Sequence, residues 1–190
     1  MKRSIILSLA ITLLAAPASG FKQENLDKLK ATNACEKCDL RETYLREANL
    51  FRAKLTGANL VRTYLREANL TGADLSDSDL SNADLSNADL DEAQLAFADL
   101  RKANLFRTYL RKANLRDSDL RKANLSKADL SDSDLAGADL RKANLAGADL
   151  TGAELNFADL RDSDLRDSDL TGTTFCNTMM PDGSVNNADC

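Results

Sequence analysis

The stretch Ser81-Asn82-Ala83-Asp84-Leu85-Ser86-Asn87-Ala88-Asp89-Leu90 decides the fold, because its five-residue unit recurs in both directions along the chain. Leucine occupies every fifth position from Leu40 to Leu170, 27 consecutive hits, and Phe175 continues the series. Two residues before each leucine lies a small side chain: positions 43 to 168 hold 18 Ala, 5 Ser and 3 Thr. The residue just before the leucine is usually acidic or amidic, with 14 Asp and 7 Asn over 28 pentads. The other two positions accept almost anything. Repetition on this scale outweighs local propensity.

No ordinary element buries this pattern. On an α-helix, steps of five rotate each leucine by about 140° and scatter them around the cylinder. On a flat strand, an odd period sends alternate leucines to opposite faces. A leucine-rich repeat needs a longer period and uneven leucine spacing. The pattern works if the chain turns a corner every pentad, so that every leucine points to one axis. Four sides then close a coil of about 20 residues, and successive coils stack at the inter-strand distance of about 4.8 Å.

The Ala-Asp/Asn-Leu unit, as in Ala83-Asp84-Leu85 or Ala123-Asn124-Leu125, resembles the pentapeptide-repeat family, and the resemblance spans residues 36–175. It implies an all-β fold, a right-handed quadrilateral β-helix with leucine stacked in the centre and the small residue beside it. The 28 pentads, four to a coil, give about seven coils and a rod roughly 34 Å long. Both ends, Ala34-Cys35-Glu36-Lys37-Cys38-Asp39-Leu40 and Phe175-Cys176-Asn177 through Ser184, are similar to exported members from cyanobacteria and plastids. The family transfers a fold more readily than a function.

The remaining segments divide simply. Residues 1–20 read as a signal peptide: Lys2 and Arg3, an apolar run from Ile5 to Ala16, then the small residues Ala16-Pro17-Ala18. The run is too short for a comfortable membrane span, so no stable membrane insertion is expected after cleavage. Residues 21–35 form an N-terminal cap, a helix whose Leu26 and Leu29 share one face. Residues 36–175 form the β-helix, and residues 176–190, with a Pro181-Asp182-Gly183 turn, the C-terminal cap. Such caps are needed because only the two ends of the rod present strand edges.

Export and four cysteines imply disulfides. In a seven-coil rod, Cys35 and Cys38 lie at one end and Cys176 and Cys190 at the other. Bridged Cα atoms must lie within about 7 Å, which leaves only the pairs 35–38 and 176–190. Cys35-Glu36-Lys37-Cys38 also fits a C-x-x-C redox motif, but both residues fall on inward registers and the usual βαβ setting is missing. The same end-to-end distance excludes a four-cysteine zinc site.

The composition narrows function. With no His among 190 residues, His-based acid–base chemistry, Ser-His-Asp and Cys-His nucleophiles and His-ligated metals are excluded. Thirty acidic against 25 basic residues do not suit a nucleic-acid binder. Stacked Asp could suggest Ca²⁺, but the Gly-rich nonapeptide of such β-helix sites is missing. No catalytic, cofactor or metal residues are assigned.

Because residues twenty apart stack, the surface can be read in columns. Asp79, Asp99, Asp119, Asp139 and Asp159 run beside Arg101, Arg121, Arg141 and Arg161, which are followed by Lys102, Lys122 and Lys142. Mutual compensation on a solvated surface is one reading; a basic strip that docks an acidic partner or headgroup is the other. Exposed aromatics add Phe97 and Phe157 on one corner, and Tyr44 stacked on Tyr64. These residues make up the candidate partner surface.

The resulting expectation is a non-enzymatic exported scaffold or protein-binding module, in the periplasm, thylakoid lumen or extracellular space, as a monomer or end-to-end dimer with an unknown protein partner. The alternative is a redox-active or redox-regulated thiol protein acting through Cys35–Cys38. Some family members imitate DNA and inhibit a type II topoisomerase; here the interleaved Arg and Lys interrupt any anionic face, and export removes the cytosolic target. Register is directly testable: Leu100→Asp buries an unpaired charge and costs several kcal/mol, whereas Arg101→Ser leaves the melting temperature nearly unchanged. Comparable losses in thermal melts would show that the register is wrong.

Overall fold

Each pentad makes one side of a square coil, and the reason lies in its turn. In the segment Leu50-Phe51-Arg52-Ala53, the Ala53 N–H donates to the Leu50 carbonyl at 2.9 Å, closing a β-turn. Arg52, the second central residue, has φ of 52°, as type II turns require. The same positive φ recurs every five residues, at glycines such as Gly147 (φ 67°) and at Lys102 (58°) or Phe97 (60°). In the computed structural model, which describes residues 22–190, this repeat builds a parallel β-helix. The expected signal segment, residues 1–20, lies outside the described residues, as does Phe21.

Residues twenty apart pair in parallel, from Ala34↔Lys54 to Asp159↔Met179. Pairing therefore starts two residues before the repeat boundary read from the sequence and continues into the C-terminal segment. Three inter-coil bonds hold each side. On one of them Leu145 N–H donates to Asp164 O (2.8 Å), Gly147 N–H to Arg166 O (2.8 Å) and Asp164 N–H to Ala143 O (3.0 Å). The four faces are named here by their first leucines: Leu40, Leu45, Leu50 and Leu55.

The leucines from Leu40 to Leu160 are buried, most of them completely, with Ala, Ser or Thr beside them. The bore has room for one large and one small side chain per side, which is why the small position is never filled by a larger one. Most buried hydroxyls return their proton to the backbone. Ser118 Oγ donates to Leu115 O within its own turn (2.7 Å), and Thr108 Oγ1 to Leu85 O one coil away (2.8 Å).

The Asp/Asn before each leucine has a definite job. Its Oδ1 accepts the backbone N–H two residues on, as from Ser81 to Asp79 (2.9 Å), Ser131 to Asp129 (3.1 Å) and Ala146 to Asn144 (3.0 Å). That N–H has no ladder partner, so an Asx turn is its natural acceptor.

At the N-terminal end lies α1 (Gln23–Thr32), with Leu26 and Leu29 buried against the first coil. Asn33 ends it in a left-handed conformation, and its side-chain amide donates to Phe51 O at 2.8 Å. At the other end the chain continues over the Leu55 and Leu40 faces and then reverses in a two-stranded hairpin. Its strands are β1 (Thr178–Met179) and β2 (Val185–Asn186). Both disulfides are formed: Cys35–Cys38 with Cα atoms 5.3 Å apart and Cys176–Cys190 with 4.8 Å. The C-terminal cover is narrower than the sequence suggests, since Leu165 and Leu170 stay only partly buried.

The Asx turn makes a prediction. Asp129→Ala leaves the Ser131 N–H without its acceptor and lowers stability by about 1 kcal/mol, whereas Asp129→Asn keeps the bond and is nearly neutral. Chemical-denaturation midpoints of the two variants check this.

Candidate functional site

The predicted charged columns lie on the Leu40 face, where the structure separates them into two kinds. The arginines are held. Arg121 binds Asp119 through two nitrogens, Nε to Oδ1 at 2.8 Å and Nη2 to Oδ2 at 2.5 Å, and its Nε also approaches Asp139 Oδ2 at 3.5 Å. Arg141 repeats this with Asp139 (2.6 Å) and Asp159 (3.6 Å), while Arg101 pairs with Asp99 and reaches Asp119 (3.6 Å). Arg161 closes the series on Asp159 at 2.6 Å. The result is a zigzag of alternating charge along the rod, each Asp also capping its own turn. No run of uninterrupted negative charge therefore forms along these coils of the Leu40 face among the described residues.

The protonation equilibria follow this arrangement. Burial pushes Asp99 toward the neutral form, but hydrogen bonds from Arg101 and the charges of Arg101 and Arg121 outweigh it, so its pKa is lowered. The Arg161 hydrogen bond lowers that of Asp159 against a smaller effect of burial, and Arg41 does the same for Asp39. Arg121 and Arg141 are raised by their bonds to Asp119 and Asp139. On the neighbouring face Arg166 holds Asp164 down to about 2.

The lysines are a different case. Lys102, Lys122 and Lys142 stack on the corner between the Leu40 and Leu45 faces, exposed, and among the described residues none of the three enters an ion pair. Shallow grooves run between the arginine and lysine columns, one lined by Ser81, Asn82, Arg101, Lys102, Arg121 and Lys122. Phe97 and Phe157, 62% and 64% exposed, occupy the opposite corner of the same face. Tyr44 and Tyr64 do stack, with ring centroids 4.6 Å apart and planes 3° from parallel, but at the N-terminal end of the Leu45 face. The structure thus gathers the Arg, Lys and Phe candidates onto one face and leaves the tyrosine pair outside it.

A second ladder escaped the sequence reading. Asn144 Nδ2 donates to Asn124 Oδ1 (3.4 Å), Asn124 to Asn104 (3.2 Å) and Asn104 to Asp84 (2.9 Å). The signal was the run of Asn at one register of the Leu45 face.

Cys35 and Cys38 are buried and bridged, whereas Cys190 is exposed. Among the described residues no cluster of His, Cys, Asp or Glu could hold a metal ion, and no helix is long and apolar enough to cross a membrane.

The family model for pentapeptide repeats matches in eight copies, over residues 35–66, 68–105, 98–137, 128–167 and 158–189. The chain is a pentapeptide-repeat protein. Its coils are accordingly those of a right-handed quadrilateral β-helix. Among solved structures it is similar to HetL, a pentapeptide-repeat protein involved in heterocyst differentiation regulation in the cyanobacterium Nostoc. That match has 27% identity over 85% of this chain and 98% of that one, with a TM-score of 0.45. A pentapeptide-repeat protein of the Arabidopsis thaliana thylakoid lumen is 31% identical over 51% of this chain and 71% of its own, with a TM-score of 0.27. Another from Nostoc is 42% identical over 53% and 83%, with a TM-score of 0.30. No curated protein matches the sequence.

Acid should loosen this pentapeptide-repeat rod in a defined window. A carboxylate whose folded pKa lies below its unfolded value of 3.8 stabilises fully above that value, and the contribution is lost as pH falls through the folded value. The melting temperature is therefore expected to hold from neutral pH to about 4 and to fall toward about pH 2. Circular-dichroism melts across that range test it, and a decline complete above pH 5 would contradict the assignment.

Proposed function

We propose that this chain is an exported, non-enzymatic rigid rod that docks an acidic protein partner on its Leu40 face. The observation that carries the reading is the contrast within one face. Arg101, Arg121, Arg141 and Arg161 are each already neutralised by the aspartate two residues before, while Lys102, Lys122 and Lys142 enter no ion pair among the described residues. The zigzag stiffens the face; the lysines are what a partner's carboxylates would meet. Phe97 and Phe157 on the far corner offer apolar anchors at the edge of the same contact. A face of this kind gives steering and register more than raw affinity.

Export, to a periplasm, thylakoid lumen or extracellular space, is supported by the leader-like residues 1–20 and by two disulfides, which persist in oxidising compartments. The redox alternative through Cys35–Cys38 is disfavoured by burial, because an attacking thiolate needs access to sulfur. Absence of His from the sequence supports a binding role over His-based catalysis.

The test pairs wild type with a Lys102→Ser, Lys122→Ser, Lys142→Ser variant and a control carrying Lys28→Ser and Lys30→Ser on α1. A partner recovered from the exported compartment should bind wild type and control, weaken with added salt, and be lost from the triple variant, whose melting temperature stays unchanged. Equal binding by the triple variant would remove this face from consideration.

A further inference from the structure

The two ends of the rod are not closed alike. On the Leu40 and Leu55 faces the last coil finds partners in the cap. Leu160 N–H donates to Met179 O (2.7 Å), Asp162 N–H to Pro181 O (3.0 Å), Leu155 N–H to Thr174 O (3.0 Å) and Phe157 N–H to Cys176 O (2.7 Å). The Pro181-Asp182-Gly183 turn then reverses the chain before it reaches the Leu45 face. There, and on the Leu50 face, Leu165, Asp167, Leu170 and Gly172 N–H and the Ser163 and Ser168 carbonyls have no partner among the described residues. Leu165 and Leu170 remain partly buried beside Met180, and the buried hydroxyl of Ser163 is also without a partner. The ledge repeats the donor and acceptor pattern that every interior coil uses to receive the next one.

A second copy of the chain fits this ledge badly. Stacked head to tail, it would bring α1 onto the cap, and a helix about 10 Å across cannot enter a gap set by the coil spacing of about 4.8 Å. Tail to tail, four donors and two acceptors would face the same set, and the rim of Asp162, Asp164, Asp167 and Asp169 would meet itself. Arg166, the cation set within that rim, is spent on Asp164, as Arg161 beside it is on Asp159.

We propose that the ledge accepts a basic segment of a partner by strand addition, extended along each face and turned once at the corner between them, with two leucine-like side chains five residues apart seated on Leu165 and Leu170. Its carbonyls take the four free N–H groups, its own N–H groups reach Ser163 and Ser168, and its cations meet the acidic rim. Main-chain bonds give such a mode its affinity and the side-chain seats its selectivity. The surface is distinct from the Leu40 face and does not depend on the reading of that face.

A fluorescent peptide, Ala-Lys-Leu-Lys-Gly-Ala-Lys-Leu-Lys-Gly, titrated with the full mature chain and followed by anisotropy, tests the proposal. Saturable binding is expected, and it should weaken by about tenfold or more when the same residues are rearranged to place the leucines four apart. A peptide N-methylated at the lysine before each leucine should lose binding similarly, as should the Leu165→Asp variant. The Lys102→Ser, Lys122→Ser, Lys142→Ser variant should bind as wild type does. Equal binding of the spaced and rearranged peptides would reduce the effect to charge and overturn the proposal. No binding, or a concentration-dependent dimer that excludes the peptide, would overturn it too.

Discussion

The register of twenty between paired residues is the constraint on which everything else depends. It is set by the bore, which takes one leucine and one small side chain from each of four sides and closes only when each side is five residues long. Once that holds, each coil meets the next through three backbone hydrogen bonds per side, and every outward position becomes part of a straight column. Stability in such a stack is close to a sum of coil and interface contributions, so the middle does not depend on the ends. The surface, in contrast, is collective, because any residue type repeated every twenty positions becomes a ladder.

The inward half of this design was legible from sequence, since burial allows few residue types. Leu100 and Ala98 advertise their positions because nothing larger or more polar fits. The turn position was not legible. Lys102, Phe97 and Asp117 all hold positive φ, a conformation in which glycine or asparagine is the usual expectation. Backbone bonds on both sides pin the turn, so the local preference of any one residue is overridden, and the position looks random in sequence. The Asp and Asn before each leucine were visible as a composition bias. Their physical role, closing the turn N–H, needed coordinates.

The candidate site shows a similar split. The columns of Arg, Lys and Asp could be laid out from the repeat alone, and the structure places them on one face. What sequence could not tell was which cations were already engaged. Arg141 sits one residue before Lys142, yet the first folds back on Asp139 while the second stands clear. The difference is geometric. The residue just after the leucine points along the same side as the preceding Asp, and the next residue sits on the corner. The C-terminal cap shows the same limit, because Pro181-Asp182-Gly183 signals a turn without saying which faces the chain will have covered before it reverses.

A fixed pitch also creates a problem that the chain solves differently on each column. Two like charges one coil apart, at about 4.8 Å, repel by about 0.9 kcal/mol even in water. On the Leu40 face the aspartates are interleaved with arginines, so each repulsion is offset by two attractions. In the middle coils of the Leu45 face, between Asp84 and Asp164, the charge is removed, and Asn104, Asn124 and Asn144 pass a hydrogen bond from coil to coil instead. The lysine corner uses neither device: Lys102, Lys122 and Lys142 follow one another in exposed positions, and the column meets an opposite charge only past its end, at Asp162. A column left uncompensated beside one compensated throughout is where an incoming set of carboxylates gains most, since it relieves a repulsion as well as making contacts. The same reasoning explains why the arginines, although more numerous and more strongly basic, are the weaker candidates: a partner would first have to displace the aspartates that already close their turns.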